Sequence, residues 1–213
     1  MLVANILGNG PSLKFFKLKN ISNNFIIGTN NIFYLNQFNL INNEKNFYTA
    51  YDERFLKKGN KDWLNQVKNF KGKVFFPQSW KNIKELNKIK KINFSLPKKN
   101  FNLVQSYMKL FSNSDDLKSS VIITSAIPLA LSLEVDLINL YGCEFKYNLD
   151  KNSKLTKNSY FYKKENYGFE HSKKTEKLWS KIQYNKLKKI KSFLNNHNVA
   201  LKDMTINGNL KFI

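Results

Sequence analysis

The chain opens on an apolar run, Leu2 to Leu7, interrupted only by Asn5, that stops at Gly8-Asn9-Gly10-Pro11-Ser12. A short run bounded by a glycine turn predicts a strand buried on both faces. Phe25-Ile26-Ile27 predicts a second strand, ended by Gly28-Thr29-Asn30-Asn31, and Asn46 to Ala50 a third, ended by Tyr51-Asp52-Glu53. Asp62 to Asn69 is spaced as a helix, and Lys73 to Phe76 reads as a strand closed by Pro77. Residues 81–100 are rich in Lys and Asn with weak periodicity, which predicts variable surface structure. Thr124-Ser125 opens an apolar stretch, Ala126 to Leu133, that predicts a buried helix with Pro128 in its first turn. Val135 to Tyr141 predicts a central strand ending at Gly142. Residues 148–170 lack apolar periodicity, and a connection of that length predicts a mobile lid. Leu178, Trp179, Ile182, Leu187, Ile190 and Leu194 then fall at helical spacing. They predict a core-facing stripe on a helix from about Ser172 to Asn195, with Lys181, Lys188, Lys189 and Lys191 facing outward. Val199 to Leu201 predicts the last strand.

Strands alternating with helices predict an α/β protein: a Rossmann-like, mostly parallel sheet with helices on both faces and a small mobile lid. The length, 213 residues, fits one domain spanning 1–213. In such sheets ligands bind outside the carboxyl ends of the strands. The polar clusters Gly8 to Ser12, Thr29 to Asn31, Asp52, Ser125 and Gly142 to Lys146 all fall at that edge, so they are predicted to converge.

Composition narrows the function classes. Hydrophobic residues make up 42% and aromatic residues 15%, which excludes disordered and collagen-like chains. No apolar run approaches the ~20 residues needed to cross a bilayer. Met1 to Leu13 reads as strand and turn rather than a signal peptide. Cys143, the single cysteine, can form neither an internal disulfide nor a cysteine-based zinc site, which predicts a reducing, cytoplasmic setting. The net charge is +21, yet of the 36 basic residues all but Arg54 are lysine. Specific nucleic-acid interfaces favour arginine for bidentate contacts, so no nucleic-acid partner is expected. Attraction to an anionic substrate or an anionic membrane surface remains open, with the basic helix as the predicted membrane-facing element.

The first turn, GNGPSL, is neither a dinucleotide fingerprint, since Leu13 stands where a third glycine belongs, nor a P-loop. Gly8 and Gly10 would let backbone amides approach an oxyanion, and Ser12 could cap the following helix. Asn30 and Asn31 could hold a sugar hydroxyl or a phosphate oxygen, or simply form a turn, and the same holds for Asp52. Ser125 lacks the G-x-S-x-G setting of a hydrolase nucleophile and is expected to cap a helix or touch a ligand. Of the two histidines, His197 sits in a helix-terminal turn, whereas His171 follows the lid segment and precedes the basic helix. An imidazole is a ready base near neutrality. Tyr160, Tyr162 and Tyr167 of the lid could hydrogen-bond a phosphate.

Read in order, the blocks VANILGNGPSL, GTNNIFY, YTAYDERF, ITSAIPLALSLEVDLINLYGCEF and GFEHSKKTEKL resemble the small bacterial sialyltransferases that modify lipooligosaccharide (glycosyltransferase family 42). GNGPSL also occurs in motility-accessory glycosyltransferases and pterin diphosphokinase-like proteins; the His-Ser-Lys block favours the sialyltransferases. The resemblance implies inverting transfer of sialic acid from a CMP-activated donor to a glycan or glycolipid acceptor, without an obligate metal or other cofactor. It implies that Asn9 and Asn30 contact the CMP portion, that Thr124 and Ser125 lie beside the donor, and that His171 is the general base. Lys146 stands where the family has tyrosine at the leaving phosphate, and Tyr160 or Tyr162 would supply a second contact there. Asp52 and Ile122 replace a family asparagine and arginine. Two other readings remain. One is a pterin diphosphokinase-like transferase using ATP and a divalent metal held by Asp52 and Glu144. The other is a non-catalytic carbohydrate- or membrane-binding module. A homo-oligomer is compatible with each of these readings.

Overall fold

The structure, a computed structural model, describes residues 1–21, 23–35, 37–38, 44–56, 61–111, 120–144, 173–206 and 210. Seven strands form one sheet: β1 (Val3–Leu7), β2 (Phe25–Thr29), β3 (Asn46–Thr49), β4 (Lys73–Phe75), β5 (Ile92–Asn93), β6 (Leu137–Tyr141) and β7 (Ala200–Asp203). Their order is β5-β4-β3-β2-β1-β6-β7, and every pairing is parallel. From β1 the chain steps outward to β5, then crosses back to lay β6 on the other side of β1. The gap between β1 and β6 is therefore the topological switch point, where open α/β sheets hold their ligands.

The alternation of side chains separates two cores. Ala4, Ile6, Ile27, Phe47, Ile138 and Leu140 point to one face. They are covered by α3 (Phe101–Lys109), α4 (Ile127–Ser132) and the buried side of α5 (Lys173–Asn196). Leu7, Ile26, Tyr48 and Val74 point to the other face, under α1 (Lys61–Asn69) and the short α2 (Lys84–Asn87). That second core is strongly aromatic: Phe33 lies 4.3 Å from Tyr48 by ring centroid, Phe38 stacks on Phe70 at 5.2 Å, and Trp63 lies 5.6 Å from Phe76.

Several local expectations change. Gly8–Ser12 leads into a single 3-10 turn, Pro11–Phe15, capped by Gly10. Ser12 lies inside that turn rather than capping it. Residues 81–100 are not merely variable surface: Leu86 and Ile89 are buried and β5 adds an edge strand. Thr124 and Ser125 do not open a helix. They sit within a π turn, Ile122–Ala126, that runs on into α4, and Ser125 caps nothing. In the π register the Ile127 amide donates to the Ile122 carbonyl, five residues back. Pro128 has no amide to offer, so the Ile123 carbonyl lacks the next such bond. The buried Tyr107 hydroxyl, 2.9 Å away, donates to it instead.

The basic helix is only half as expected. Leu187, Ile190 and Leu194 are fully buried, but Leu178 and Ile182 are exposed, at 59% and 40%. The stripe thus faces the core only in the second half of α5. Lys181, Lys188 and Lys189 are exposed as anticipated, whereas Lys191 is half-buried. Among the described residues no helix is long and apolar enough to cross a membrane.

Candidate functional site at the carboxyl edge of the sheet

Four strand ends and one helical turn converge here: Gly8 to Ser12 after β1, Asn30 and Asn31 after β2, Asp52 after β3, Gly142 to Glu144 after β6, and Thr124 and Ser125 in the π turn. That turn packs against β2. α4 runs antiparallel to the strand that follows it, which leaves its beginning at the carboxyl edge.

The two glycine turns flanking the switch point are tied to each other. The Gly8 amide donates to the Tyr141 carbonyl and the Gly10 amide to the Gly142 carbonyl, both at 2.8 Å. The Ser12 amide donates to Glu144 Oε1 at 2.9 Å. The amides that the sequence offers to an oxyanion are thus committed within the protein, one of them to a carboxylate. Glu144 Oε2 is enclosed and has no hydrogen-bond partner among the described residues. Gly10 makes room for this arrangement, because a Cβ there would collide with the Glu144 carboxyl group. Gly142 has φ +61, in the left-handed region that favours glycine.

Asn9 joins the first turn to the second. Its Nδ2 donates to the Thr29 carbonyl at 3.0 Å and reaches Thr29 Oγ1 at 3.2 Å, and its Oδ1 accepts from the Asn31 amide at 3.1 Å. The Thr29 hydroxyl donates in turn to the Leu7 carbonyl at 2.9 Å. Asn9 therefore acts first as a clamp that sets the spacing of the β1 and β2 turns. Asn30 follows with φ +48, a left-handed conformation that asparagine tolerates better than most residues. It is held by its own backbone: its amide donates to the Thr49 carbonyl at 3.1 Å, and its carbonyl accepts from the Tyr48 hydroxyl at 2.6 Å. Trp63 Nε1 donates to that same hydroxyl at 2.6 Å. The aromatic core thus fixes the second turn. Asn30 Oδ1 is buried with no hydrogen-bond partner among the described residues. Asn31 is buried, and Thr124 donates from its hydroxyl to the Ser120 carbonyl at 3.1 Å. Ser125 and Asp52 are half-buried.

Thr29, which the sequence places at this edge, and Tyr48 and Trp63, which it does not, supply much of this scaffold. The available signal was Thr29, a polar residue at the end of an apolar strand. The order β3-β2-β1-β6 sets the turns bearing Asp52 and Glu144 three strand spacings apart, on the order of 14 Å. With Glu144 also locked to Ser12, the pair is poorly placed to share a metal, and among the described residues no cluster of three metal-ligating side chains occurs. His197 lies at the end of α5, toward the opposite edge. Its Nδ1 donates to the Phe193 carbonyl at 2.8 Å and its ring packs 4.2 Å from the Phe193 ring, so it has a structural role. Lys146, Tyr160, Tyr162, Tyr167, His171 and the 148–170 lid segment lie outside the described residues.

Burial pushes the Cys143 thiol well above its ordinary value of 9.0, and the nearby Glu144 and Asp203 carboxylates add to the shift. The thiol is therefore a packing group and not a nucleophile. Its contribution to stability is fully present below the ordinary thiol value and is lost as the pH climbs toward the raised folded value. A thiol-specific reagent near pH 9 is expected to modify the native protein far more slowly than the urea-unfolded chain. Equal rates would show that the Cys143 site is open.

An all-parallel sheet, wound in both directions from β1 and carrying its polar turns at the carboxyl edge, defines a doubly wound α/β protein, a class that takes its ligands at the switch point, here between β1 and β6. No protein-family model matches the sequence, and no curated protein matches it. Among solved structures it is similar to the sialyltransferase CstII from Campylobacter jejuni in complex with a substrate analogue, cytidine-5'-monophosphate. The TM-score is 0.57 at 16% identity, covering 100% of this chain and 83% of that one. It is similar also to a tyrosine-to-phenylalanine variant of the sialyltransferase CST-II in complex with CMP, with TM-score 0.54 at 16% identity, covering 100% and 84%. The chain shares the fold of these proteins.

Proposed function

We propose that the chain is a sialyltransferase-like glycosyltransferase, transferring sialic acid or a related nonulosonic acid from a CMP-activated donor to a surface-glycan acceptor with inversion. One observation carries the reading. Four of the segments that bear the sequence resemblance, GNGPSL, GTNN, ITSA and YGCE, lie at or beside the switch point of a fold shared with CMP-bound sialyltransferases.

In this reading the nucleotide lies across the β1 and β6 turns. The buried Asn30 Oδ1, which has no hydrogen-bond partner among the described residues, offers an acceptor at the same edge, and Asn9 holds the Gly8–Gly10 and Asn30–Asn31 turns at the right separation. Asn31, Thr124, Ser125 and Asp52 line the donor side. The acceptor hydroxyl attacks the anomeric carbon while His171 takes its proton. The bond between that carbon and the phosphate oxygen breaks, and CMP leaves with the electron pair. Lys146 and Tyr160 or Tyr162 meet the charge that gathers on the leaving phosphate. Closure of the 148–170 segment would exclude water, which otherwise hydrolyses the donor. The chain would work at the inner face of the cytoplasmic membrane, where a glycolipid acceptor is made.

Incubation with CMP-sialic acid and a panel of oligosaccharide and glycolipid acceptors is expected to release CMP and yield a sialylated product without added metal. No product with any CMP-activated nonulosonic acid, together with ATP- and magnesium-dependent pyrophosphoryl transfer to a hydroxymethylpterin, would replace this reading with the diphosphokinase one. Because Asn9 clamps both turns, Asn9→Ala is expected to weaken CMP binding by ~1–3 kcal/mol, the scale of hydrogen bonds lost at a site that holds a charged group. Titration calorimetry measures this directly, and an unchanged dissociation constant would place the nucleotide elsewhere.

A further inference from the structure

At the amino edge of the sheet, opposite the crevice, lies a second concavity that the transfer reaction does not use. It is a cleft of about 920 Å³, walled by the beginnings of β2, β3 and β4, the segment after β5 and the end of α4. Five lysines line it, Lys45, Lys71, Lys73, Lys91 and Lys99, against a single acid, Glu44. Two of the five are held in place by main-chain carbonyls. Lys91 Nζ donates to the carbonyls of Lys68, at 2.7 Å, and Phe70, and Lys45 Nζ donates to the Asn23 carbonyl at 2.9 Å. Lys73 Nζ stands 6.0 Å over the centre of the Phe47 ring. Lys71 and Lys99 are exposed and make no ion pair among the described residues.

The floor beneath these charges is apolar. Phe25, Phe47 and Phe75 lie side by side across β2, β3 and β4, with ring centroids 5.9 and 6.1 Å apart, and Leu96, Pro97 and Leu133 close the sides. A low-dielectric wall under a ring of like charges focuses the field into the cleft and favours an anion there. Burial also holds the Lys91 ammonium below its ordinary value, a strain that an arriving negative charge relieves. Phe47 and Phe75 are already buried, but a small inorganic anion would use the lysines and leave the half-buried Phe25, Leu96, Pro97 and Leu133 uncovered. A head group joined to methylenes uses both.

We propose that this cleft binds the phosphate-bearing head group of an anionic lipid, with the lysines on the phosphate and the first part of the chain laid against the half-buried Phe25, Leu96, Pro97 and Leu133. The site is independent of the transferase reading. It also moves the membrane-facing surface from the exposed lysines of α5 to the amino edge of the sheet.

Co-sedimentation of the full chain with phosphatidylglycerol–phosphatidylcholine vesicles and with pure phosphatidylcholine vesicles, at low salt, tests it. The protein is expected to bind the anionic vesicles only. The variant Lys71→Gln/Lys73→Gln/Lys99→Gln should lose about a hundredfold in partitioning, since each lysine near such a surface contributes roughly fivefold. The charge reversal Lys71→Glu/Lys73→Glu/Lys99→Glu should lose more than that, and the glutamine variant keeps the test valid if the reversal fails to fold. The α5 variant Lys181→Glu/Lys188→Glu/Lys189→Glu should bind nearly as the parent does. Parent-like binding by the glutamine variant, or loss confined to the α5 variant, would overturn the proposal. So would a parent that ignores anionic vesicles. Inorganic phosphate stabilising the protein through the same lysines, without vesicle binding, would reveal a free-anion site and also overturn the lipid assignment.

Discussion

Replacing His171 with alanine is expected to cut transfer by about 10²–10⁴-fold, the usual contribution of a positioned general base, while CMP binding stays within a few-fold of the parent. The residue is one of two histidines in the chain, and it opens the His-Ser-Lys block after the 148–170 segment. His197 serves as the internal control. Its Nδ1 is held by the Phe193 carbonyl at the end of α5, so His197→Ala should leave the transfer rate essentially unchanged. The rate of the parent should also rise with pH through about 6.5, as the imidazole loses its proton and becomes able to accept one. A His171→Ala enzyme with full activity, or a parent rate flat across that range, would remove the histidine from the chemistry. CMP recognition at the crevice would stand apart from that outcome.

The second large effect is expected at Gly142. Its φ of +61 places it in the left-handed region, and a Cβ there would stand 2.5 Å from Leu13 Cγ. Leu13 is buried and cannot swing aside. Gly142→Ala thus combines an unfavourable backbone conformation with an overpacked contact, together about 2–4 kcal/mol of stability. At roughly 2–4 °C per kcal/mol for a chain of this size, that is a fall of about 4–16 °C in melting temperature. The damage should reach function too. The Gly142 carbonyl accepts the Gly10 amide, so moving it pulls on the first turn and on Ser12, which is bonded to Glu144. Parent-like melting and CMP affinity in this variant would show that the two turns are not coupled as the hydrogen bonds indicate.

The elements legible in the sequence were those whose physics is local. Leu2 to Leu7 and Val135 to Tyr141 are apolar apart from Asn5, Asp136 and Asn139, because β1 and β6 are buried on both faces at the centre of the sheet, where Asn139 Nδ2 donates to Asn5 Oδ1. Their turn residues announce themselves by glycine. β5, by contrast, spans only Ile92 and Asn93 and is specified by pairing with β4, a tertiary fact that leaves no periodic trace. The π turn was hidden because its signal, Pro128, fits the first turn of an ordinary helix equally well; only the Tyr107 hydroxyl, distant in sequence, satisfies the carbonyl that the proline leaves without a donor. Leu178 and Ile182 matched the spacing of the core stripe, yet the polar Gln183 and Lys186 are buried on the same helix in their place, so spacing alone chose the wrong face for the first half of α5.

The candidate site was legible as a set of positions and not as a mechanism of assembly. Gly8, Asn9, Gly10, Asn30, Asn31, Ser125 and Gly142 were placed at one edge by topology; the sheet order brings the strand-end residues there, and the π turn bearing Ser125 packs against β2. The sequence could not show that the Gly8, Gly10 and Ser12 amides are answered by Tyr141, Gly142 and Glu144 from a strand more than a hundred residues away. Nor could it show that Asn9 serves as a clamp between turns. These are long-range pairings with no spacing rule. The consequence is chemical: the Gly8, Gly10 and Ser12 amides are already bonded, with a carboxylate beside them, and are not free donors for an anion.

Thermal denaturation with CMP, CDP, UDP and ATP, each with and without magnesium, tests the central claim most directly. A ligand that binds only the folded state raises the melting temperature in proportion to its occupancy. CMP is expected to give the largest shift, independent of magnesium, and Asn9→Ala should reduce it. A shift from ATP that requires magnesium, with none from CMP, would contradict the account.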